Sequence, residues 1–414
     1  MATPVYPQRF EPNYDEASVP VYTLPEILTG SDGEAVVSSE QWEETRRPEI
    51  YELFQQHVYG QPIPDGITVS FSEAETGSAF DGQAVRKQIK IVCERNGKTV
   101  ELLLLVYLPA RAEKSAPMFV GLNFAGNHTI CSDDEILLSN GWYKNDEEKG
   151  ITENRASDQT RGTRSSRWAV MKLIESGFGL ATMYYGDIDP DFDDGFRNGI
   201  HSLFDESELN VDEMTSITAW SWGLSRIVDY FETDEAIDHS RIALMGHSRL
   251  GKTSLWAGAN DTRFGIVISN NSGCGGAALS RRAFGETVER INTVFPHWFC
   301  KRFSDYNRNE DACPVDQHML LALIAPRPVY VASAVEDRWA DPYGEFLSVI
   351  HAVPAYEVYG LGLNGLEGVS TEELPELDQP VGSYIGYHIR SGGHDVKDFD
   401  WSCYIRFAEN HFVR

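Results

Sequence analysis

The segment Ala243-Leu-Met-Gly-His-Ser-Arg-Leu-Gly-Lys252 constrains this chain more than any other. Residues 241–245 are a β-prone run, and residues 250–259 read as a helix. Between them lies Ser248, with Gly246 before it and Gly251 after it. A strand, a tight turn carrying a serine and a departing helix together make a nucleophile elbow. Such a turn strains the serine backbone and lifts its hydroxyl above the sheet. Strand and helix pass so close that small neighbours are required, which accounts for the two glycines. The common spacing is G-x-S-x-G, but here the second glycine comes one place later. Arg249 and Lys252 are thereby set around the serine, and two cations beside a nucleophile favour an anionic substrate. A Gly-x-Ser before a helix also occurs as a plain capped turn, so the rest of the chain must supply a base and an acid.

The surrounding pattern suits an elbow. Residues 39–59 read as a helix behind a proline-rich, acidic arm. Three β-rich runs follow at 67–73, 85–95 and 99–107, with a turn at Asn96-Gly97, and read as antiparallel edge strands. Buried strands are expected at 117–124, 179–184, 265–269 and 328–334, and helices at 167–176, 215–232 and 344–351. Apolar strands alternating with helices predict a mainly parallel sheet covered on both faces. The expectation is therefore one α/β domain over residues 1–414, with an arm and helix at 1–60. Loop insertions are expected at 131–167, on the cleft rim, and at 360–387.

A serine alcohol needs a histidine base, and the histidine needs an acid to orient it. In this class of fold the chain order is Ser, acid, His. His394, in the turn Ser391-Gly-Gly-His-Asp395, is the favoured base, with His388 second. The acid is expected just beyond the strand at 329–335, in Glu336-Asp-Arg-Trp339. Asp337 is preferred, Glu336 is the alternative, and Asp341 lies further along.

Charge and cysteines narrow the class. The chain has 63 acidic and 35 basic residues, a net charge of -28, which repels nucleic acid and anionic membranes. No apolar run approaches the roughly 18–20 residues of a membrane span, and the first residues lack the apolar core of a signal peptide. The expectation is a secreted or periplasmic mature form, with a cytoplasmic one as the alternative, acting as a monomer. Six dispersed cysteines form no C-x-x-C pair, which argues against a zinc site and for buried thiols, with one or two disulfides as the alternative. Asp187-Ile-Asp-Pro-Asp-Phe-Asp-Asp-Gly195 has the look of a calcium loop. No starting point gives glycine at the sixth place, and counted from Asp189 the twelfth place is Ile200. A structural turn is expected there, and no metal or cofactor.

At Asn270-Asn-Ser-Gly-Cys-Gly-Gly-Ala-Ala-Leu-Ser-Arg-Arg282 a family resemblance becomes specific. With Tyr184-Tyr-Gly-Asp-Ile-Asp-Pro190, the G-H-S-R-L-G-K elbow, Phe284-Gly-Glu-Thr287 and Glu336-Asp-Arg-Trp-Ala-Asp-Pro342, the chain resembles the glucuronoyl esterases of carbohydrate esterase family fifteen, bacterial branch. The resemblance implies an α/β-hydrolase fold, a three-layer sandwich. It also implies a serine esterase, of the 4-O-methyl-glucuronoyl methylesterase type, that cuts the ester between glucuronic acid on xylan and a lignin alcohol. Glucuronoxylan or a lignin–carbohydrate ester would be its substrate partner. Carried over by position, Ser248 is the nucleophile, His394 the base and Arg249 the oxyanion stabiliser. Lys252 and Glu286 would bind sugar hydroxyls, and Trp339 would pack on or hydrogen-bond to the uronate. One position departs: many members carry their triad acid as a glutamate where this chain has Asn271, whereas some bacterial members place it after the later strand, which supports Asp337. The rival expectations are an acetyl-xylan or other carbohydrate esterase on the same fold, and a carbohydrate-binding protein with a decayed site.

Overall fold

The computed structural model describes residues 10–112, 114–362 and 365–412. Its centre is one nine-stranded sheet: β1 (Thr68–Ala79), β2 (Ala84–Arg95), β3 (Lys98–Pro109), β4 (Ala116–Asn123), β5 (Gly179–Tyr184), β6 (Ile237–His247), β7 (Ile266–Asn270), β8 (Val329–Ala334) and β9 (Ile385–Arg390). The spatial order is β1-β2-β3-β5-β4-β6-β7-β8-β9. The pairs from β1 to β5 are antiparallel, and those from β5 through β4 to β9 are parallel. At the β2–β3 turn, Asn96 and Gly97 both have positive φ (52° and 79°), and Arg95 pairs with Lys98. That is a two-residue hairpin whose twist matches its strands. Every residue of β5, β7, β8 and β9 is buried, as parallel strands covered on both faces require.

The helices form the two outer layers. The ones that bear on the site are α1 (Arg47–Phe54), α2 (Val170–Glu175), α3 (Ser216–Phe231), α4 (Arg249–Asn260), α5 (Pro342–Glu357) and α6 (Asp398–His411). Phe54, Trp220, Leu224, Trp256 and Phe346 belong to the core on one face, from α1, α3, α4 and α5. Leu173, Trp401, Tyr404 and Phe407, from α2 and α6, build the core on the other. The chain is thus a three-layer α/β sandwich of the α/β-hydrolase type. The run 39–59 is helical throughout, with α1 flanked by the π-helical stretches Trp42–Arg46 and Gln55–Tyr59. Arg47 caps the far end of α4, donating to the carbonyls of Ala259 (2.8 Å) and Leu323 (3.1 Å).

Two expectations need correction. The segment 360–387 is not loop to its end, because Ile385, Gly386 and Tyr387 belong to β9. His388 and Arg390 interrupt the apolar pattern there, yet both are buried against Asp400 of α6. The helix expected at 344–351 runs to Glu357, through Pro354. Residues 124–169 contain four short 3-10 turns and no strand of the sheet. All six cysteines are free and buried. Among the described residues no helix is long and apolar enough to cross a membrane, and no cluster of acidic, histidine and cysteine side chains could hold a metal ion.

The strand-to-helix crossing at β6–α4 leaves no room for a side chain at residue 246. A Cβ there would overlap the Leu250 carbonyl and the Ser254 hydroxyl. Gly246→Ala is expected to destabilise the fold by about 3 kcal/mol or more, read as a lowered midpoint in thermal or denaturant unfolding. An unchanged midpoint would contradict this packing.

Candidate active site

β6 ends at His247, and Ser248 turns the chain into α4 with φ 58° and ψ −129°. This region is costly for a residue with a Cβ, on the order of 1–3 kcal/mol. The turn is held from below, where Ser248 N–H donates to the Asn270 carbonyl at 2.9 Å, and Gly251 N–H to the Ser248 carbonyl at 2.8 Å. A Cβ on Gly251 would lie 2.9 Å from that of Ser272, so both glycines of the motif mark close approaches. Ser248 and His394 line one cavity of about 260 Å³, with Phe124 and Arg249 beside them. Among the described residues no hydrogen bond joins the serine to the imidazole.

His394 is brought over the sheet by the turn after β9, and its side chain is 41% exposed. Its Nδ1 is 2.6 Å from Oδ2 of the buried Asp337. A carboxylate at Nδ1 holds the proton there and leaves Nε2 as an acceptor. The turn is clamped from beneath by Arg390. Its Nε pairs with Asp400 at 2.8 Å, and its other nitrogens donate to the carbonyls of Ser391 (2.9 Å), Gly393 (3.2 Å) and Asp395. Those carbonyls flank His394 on both sides. His388, the second histidine considered, is buried away from the cavity between Asp400 and Tyr330, both at 2.8 Å.

The two acids weighed after β8 separate cleanly. Asp337 meets His394, whereas Glu336 is exposed. Asp341 pairs with Arg282 at 2.8 Å and caps α5. Asn271, at the position that departs from the family pattern, donates its side-chain amide to Asp337 Oδ2 at 2.9 Å. The amide therefore faces the acid instead of replacing it. Below this pair, Glu345 is fully buried and accepts from the N–H groups of Ser272 (2.7 Å) and Gly273 (3.0 Å) and from the Ser333 hydroxyl (2.6 Å). Burial pushes its carboxyl up to about 8 despite these donors.

The two cations of the elbow are not free. The Arg249 guanidinium is paired with Asp191 and lies over the Trp298 ring, 4.5 Å from its centroid. Asp191 also accepts from Trp298 Nε1 (2.7 Å), His297 Nε2 (2.9 Å) and the Tyr185 hydroxyl (2.9 Å). Burial alone would raise its pKa, but the His297 contact and the Arg249 charge outweigh burial and bring it down to about 2. Lys252 is buried and donates to the Ser272 carbonyl. Burial lowers its pKa, opposed chiefly by Glu286. Glu286 is itself raised by burial, with Lys252 and a hydrogen bond from Trp339 opposing. Glu286 N–H also donates to the Trp339 carbonyl at 3.0 Å. Lys252, Glu286 and Trp339 thus form one cluster beyond Arg249. The two cations do not make an open positive site, as the sequence suggested, because Asp191 pairs with Arg249 and Lys252 is buried with its ammonium on the Ser272 carbonyl. Asp191, His297 and Trp298 escape a reading of the chain: Asp191 falls in the calcium-like segment, and nothing in its spacing points to Arg249. That segment splits three ways, with Asp187 receiving the Ser139 hydroxyl and Asp189 the Ser216 hydroxyl.

Glu345 generates a pH prediction. Folded, it stays protonated up to about pH 8, whereas in an unfolded chain it ionises near the ordinary glutamate value. Between the two values the folded state holds more protons, so this group lowers stability as pH rises, by up to about 1.4 kcal/mol per pH unit. Glu345→Gln keeps an acceptor for the two N–H groups and can donate to Ser333. Its unfolding free energy should match wild type near pH 5 and exceed it near pH 8. Parallel curves in denaturant titrations across that range would contradict the assignment.

Comparison with known proteins adds to this geometry. A family model described as "Glucuronyl esterase, fungi" matches residues 194–360. The carbohydrate esterase MZ0003 of an unknown prokaryotic organism is 51% identical over 413 residues, covering 99% of this chain and 94% of that protein. A solved structure described as a promiscuous CE15 esterase from a marine bacterial metagenome superposes with a TM-score of 0.89 at 51% identity, over 97% of this chain and 100% of the other. The glucuronoyl esterase of Solibacter usitatus superposes with a TM-score of 0.87 at 41% identity, over 96% of this chain and 100% of the other. With these relatives spanning nearly the whole sequence, the chain belongs to the glucuronoyl esterases of carbohydrate esterase family 15.

Proposed function

We propose that this protein hydrolyses the ester between (4-O-methyl-)glucuronic acid of xylan and an alcohol of lignin, through an acyl-enzyme on Ser248. The observation that carries the reading is the 2.6 Å contact of His394 Nδ1 with buried Asp337, on a histidine that shares its cavity with the strained Ser248. His394 Nε2 takes the serine proton as Oγ attacks the uronate C6 carbonyl, and Asp337 stabilises the imidazolium that forms. The tetrahedral oxyanion is held by the Arg249 N–H at the start of α4 and by its guanidinium, which Asp191 and Trp298 keep in place. One preorganised donor of this kind contributes about 2.7–4 kcal/mol to such a transition state. His394 then protonates the leaving alcohol, and water enters to release the uronate. Lys252, Glu286 and Trp339 hold the sugar, where fixed polar groups orient an ester that has no charge of its own. A polymeric substrate of the plant cell wall implies action outside the cytoplasm.

The test is turnover of benzyl glucuronate against a matched acetylated sugar. Wild type should prefer the uronate ester, and Ser248→Ala should lose about three orders of magnitude in kcat or more. Asp337→Asn should lose about 10²–10⁴-fold, while Glu336→Gln stays within about twofold, as expected for an exposed side chain. Preference for the acetyl ester would keep the elbow and overturn the substrate. Sugar binding without turnover by folded wild type would point to a binding protein.

A further inference from the structure

The geometry points to a subsite for a carboxylate-bearing leaving alcohol on the His394 side of the cleft, with Arg164 as its selecting residue. The inference rests on the esterase reading above. The cavity shared by Ser248 and His394 extends to Thr129, Arg164, Arg167 and Trp168. Lys252, Glu286 and Trp339 do not line it. An imidazole that protonates the leaving oxygen must stand beside that oxygen, so the sugar takes the Lys252 side and the alcohol the His394 side. Trp168 and Phe124 give the alcohol subsite apolar ring surfaces.

Its cations are unequally committed. Arg249 is paired with Asp191, and Arg167 pairs with Asp395 at 2.7 Å. Arg164 is exposed, and among the described residues its guanidinium has no carboxylate, carbonyl or ring partner. Its backbone, by contrast, is fixed. Arg164 N–H donates to the Thr129 carbonyl, and its own carbonyl accepts from Arg167 N–H, both at 2.9 Å. The root of the side chain is therefore anchored at the cavity wall while its charge is left unspent. In a chain with 63 acidic and 35 basic residues, most unpaired surface charge repels an incoming anion. A guanidinium without a partner in the cavity of the proposed nucleophile is a local exception. It fits a planar carboxylate, which Arg binds with two parallel hydrogen bonds.

The experiment compares kcat/KM for benzyl glucuronate and for its 4-carboxybenzyl counterpart, in wild type, Arg164→Gln and Arg164→Glu. The ratio of charged to neutral ester is read against that of wild type, which cancels the intrinsic difference between the two leaving groups. It should fall about 3- to 5-fold in Arg164→Gln, the scale of an exposed ion pair, and further in Arg164→Glu. The change should lie in KM and shrink in about 0.5 M salt, where screening is strong. An equal ratio in all three proteins overturns the inference, as does an equal loss on both esters, which would mark Arg164 as merely structural. If wild type cleaves benzyl glucuronate and the ratio stays the same in both variants, the subsite alone fails. If it cleaves neither ester, the esterase reading fails and the subsite with it.

Discussion

Everything at the cleft depends on how closely β6 and α4 cross. With Gly246 and Gly251 at the contact, the chain reverses within one residue, and that residue is Ser248 in a backbone region that side chains avoid. The crossing fixes three things at once. It sets the serine at the top of the sheet, opens α4 at Arg249 and brings Lys252 one turn later beside the loop that follows β7. The strain is local and is offset by a helix whose residues Leu250 to Ala259 are all buried.

Around this point the protein manages buried charge by pairing it. Asp337 has His394 and the Asn271 amide, and Asp191 has Arg249, His297, Trp298 and Tyr185. Such groups are costly to bury alone and tolerable only when their hydrogen bonds are filled. Glu345 takes the other course and stays protonated, supporting the chain after β7 as a neutral group. The region thus combines an ionised Asp191 aimed at the Arg249 cation with a neutral Glu345 aimed at backbone N–H groups. The difference follows from which partners each can reach.

Much of this was legible in the sequence, for identifiable reasons. The elbow has a local signature, because its steric demand falls on neighbouring residues. The apolar strands 179–184 and 329–334 are short and fully buried, so their composition alone marks them. Glu336 and Asp337 are adjacent carboxyls that the chain alone does not distinguish, and only the fold shows which of them meets His394, since they point to opposite environments. What stayed hidden is held by long-range partners. Asp191 meets Arg249 58 positions later, and Asn271 meets Asp337 66 positions later. β9 was obscured because His388 and Arg390 break its apolar run, and their burial makes sense only once Asp400 lies beside them.

The Arg390–Asp400 clamp has a consequence for how the cleft holds together. The turn bearing His394 takes its shape from a guanidinium whose counter-charge lies in α6, beyond the histidine in the chain. The elbow strand leans on the same helix, with Ala243 and Met245 in the core that Trp401 and Tyr404 build and Asn270 donating to the Tyr404 hydroxyl. Loosening α6 would therefore release the turn that carries His394 and open the core beneath β6 together.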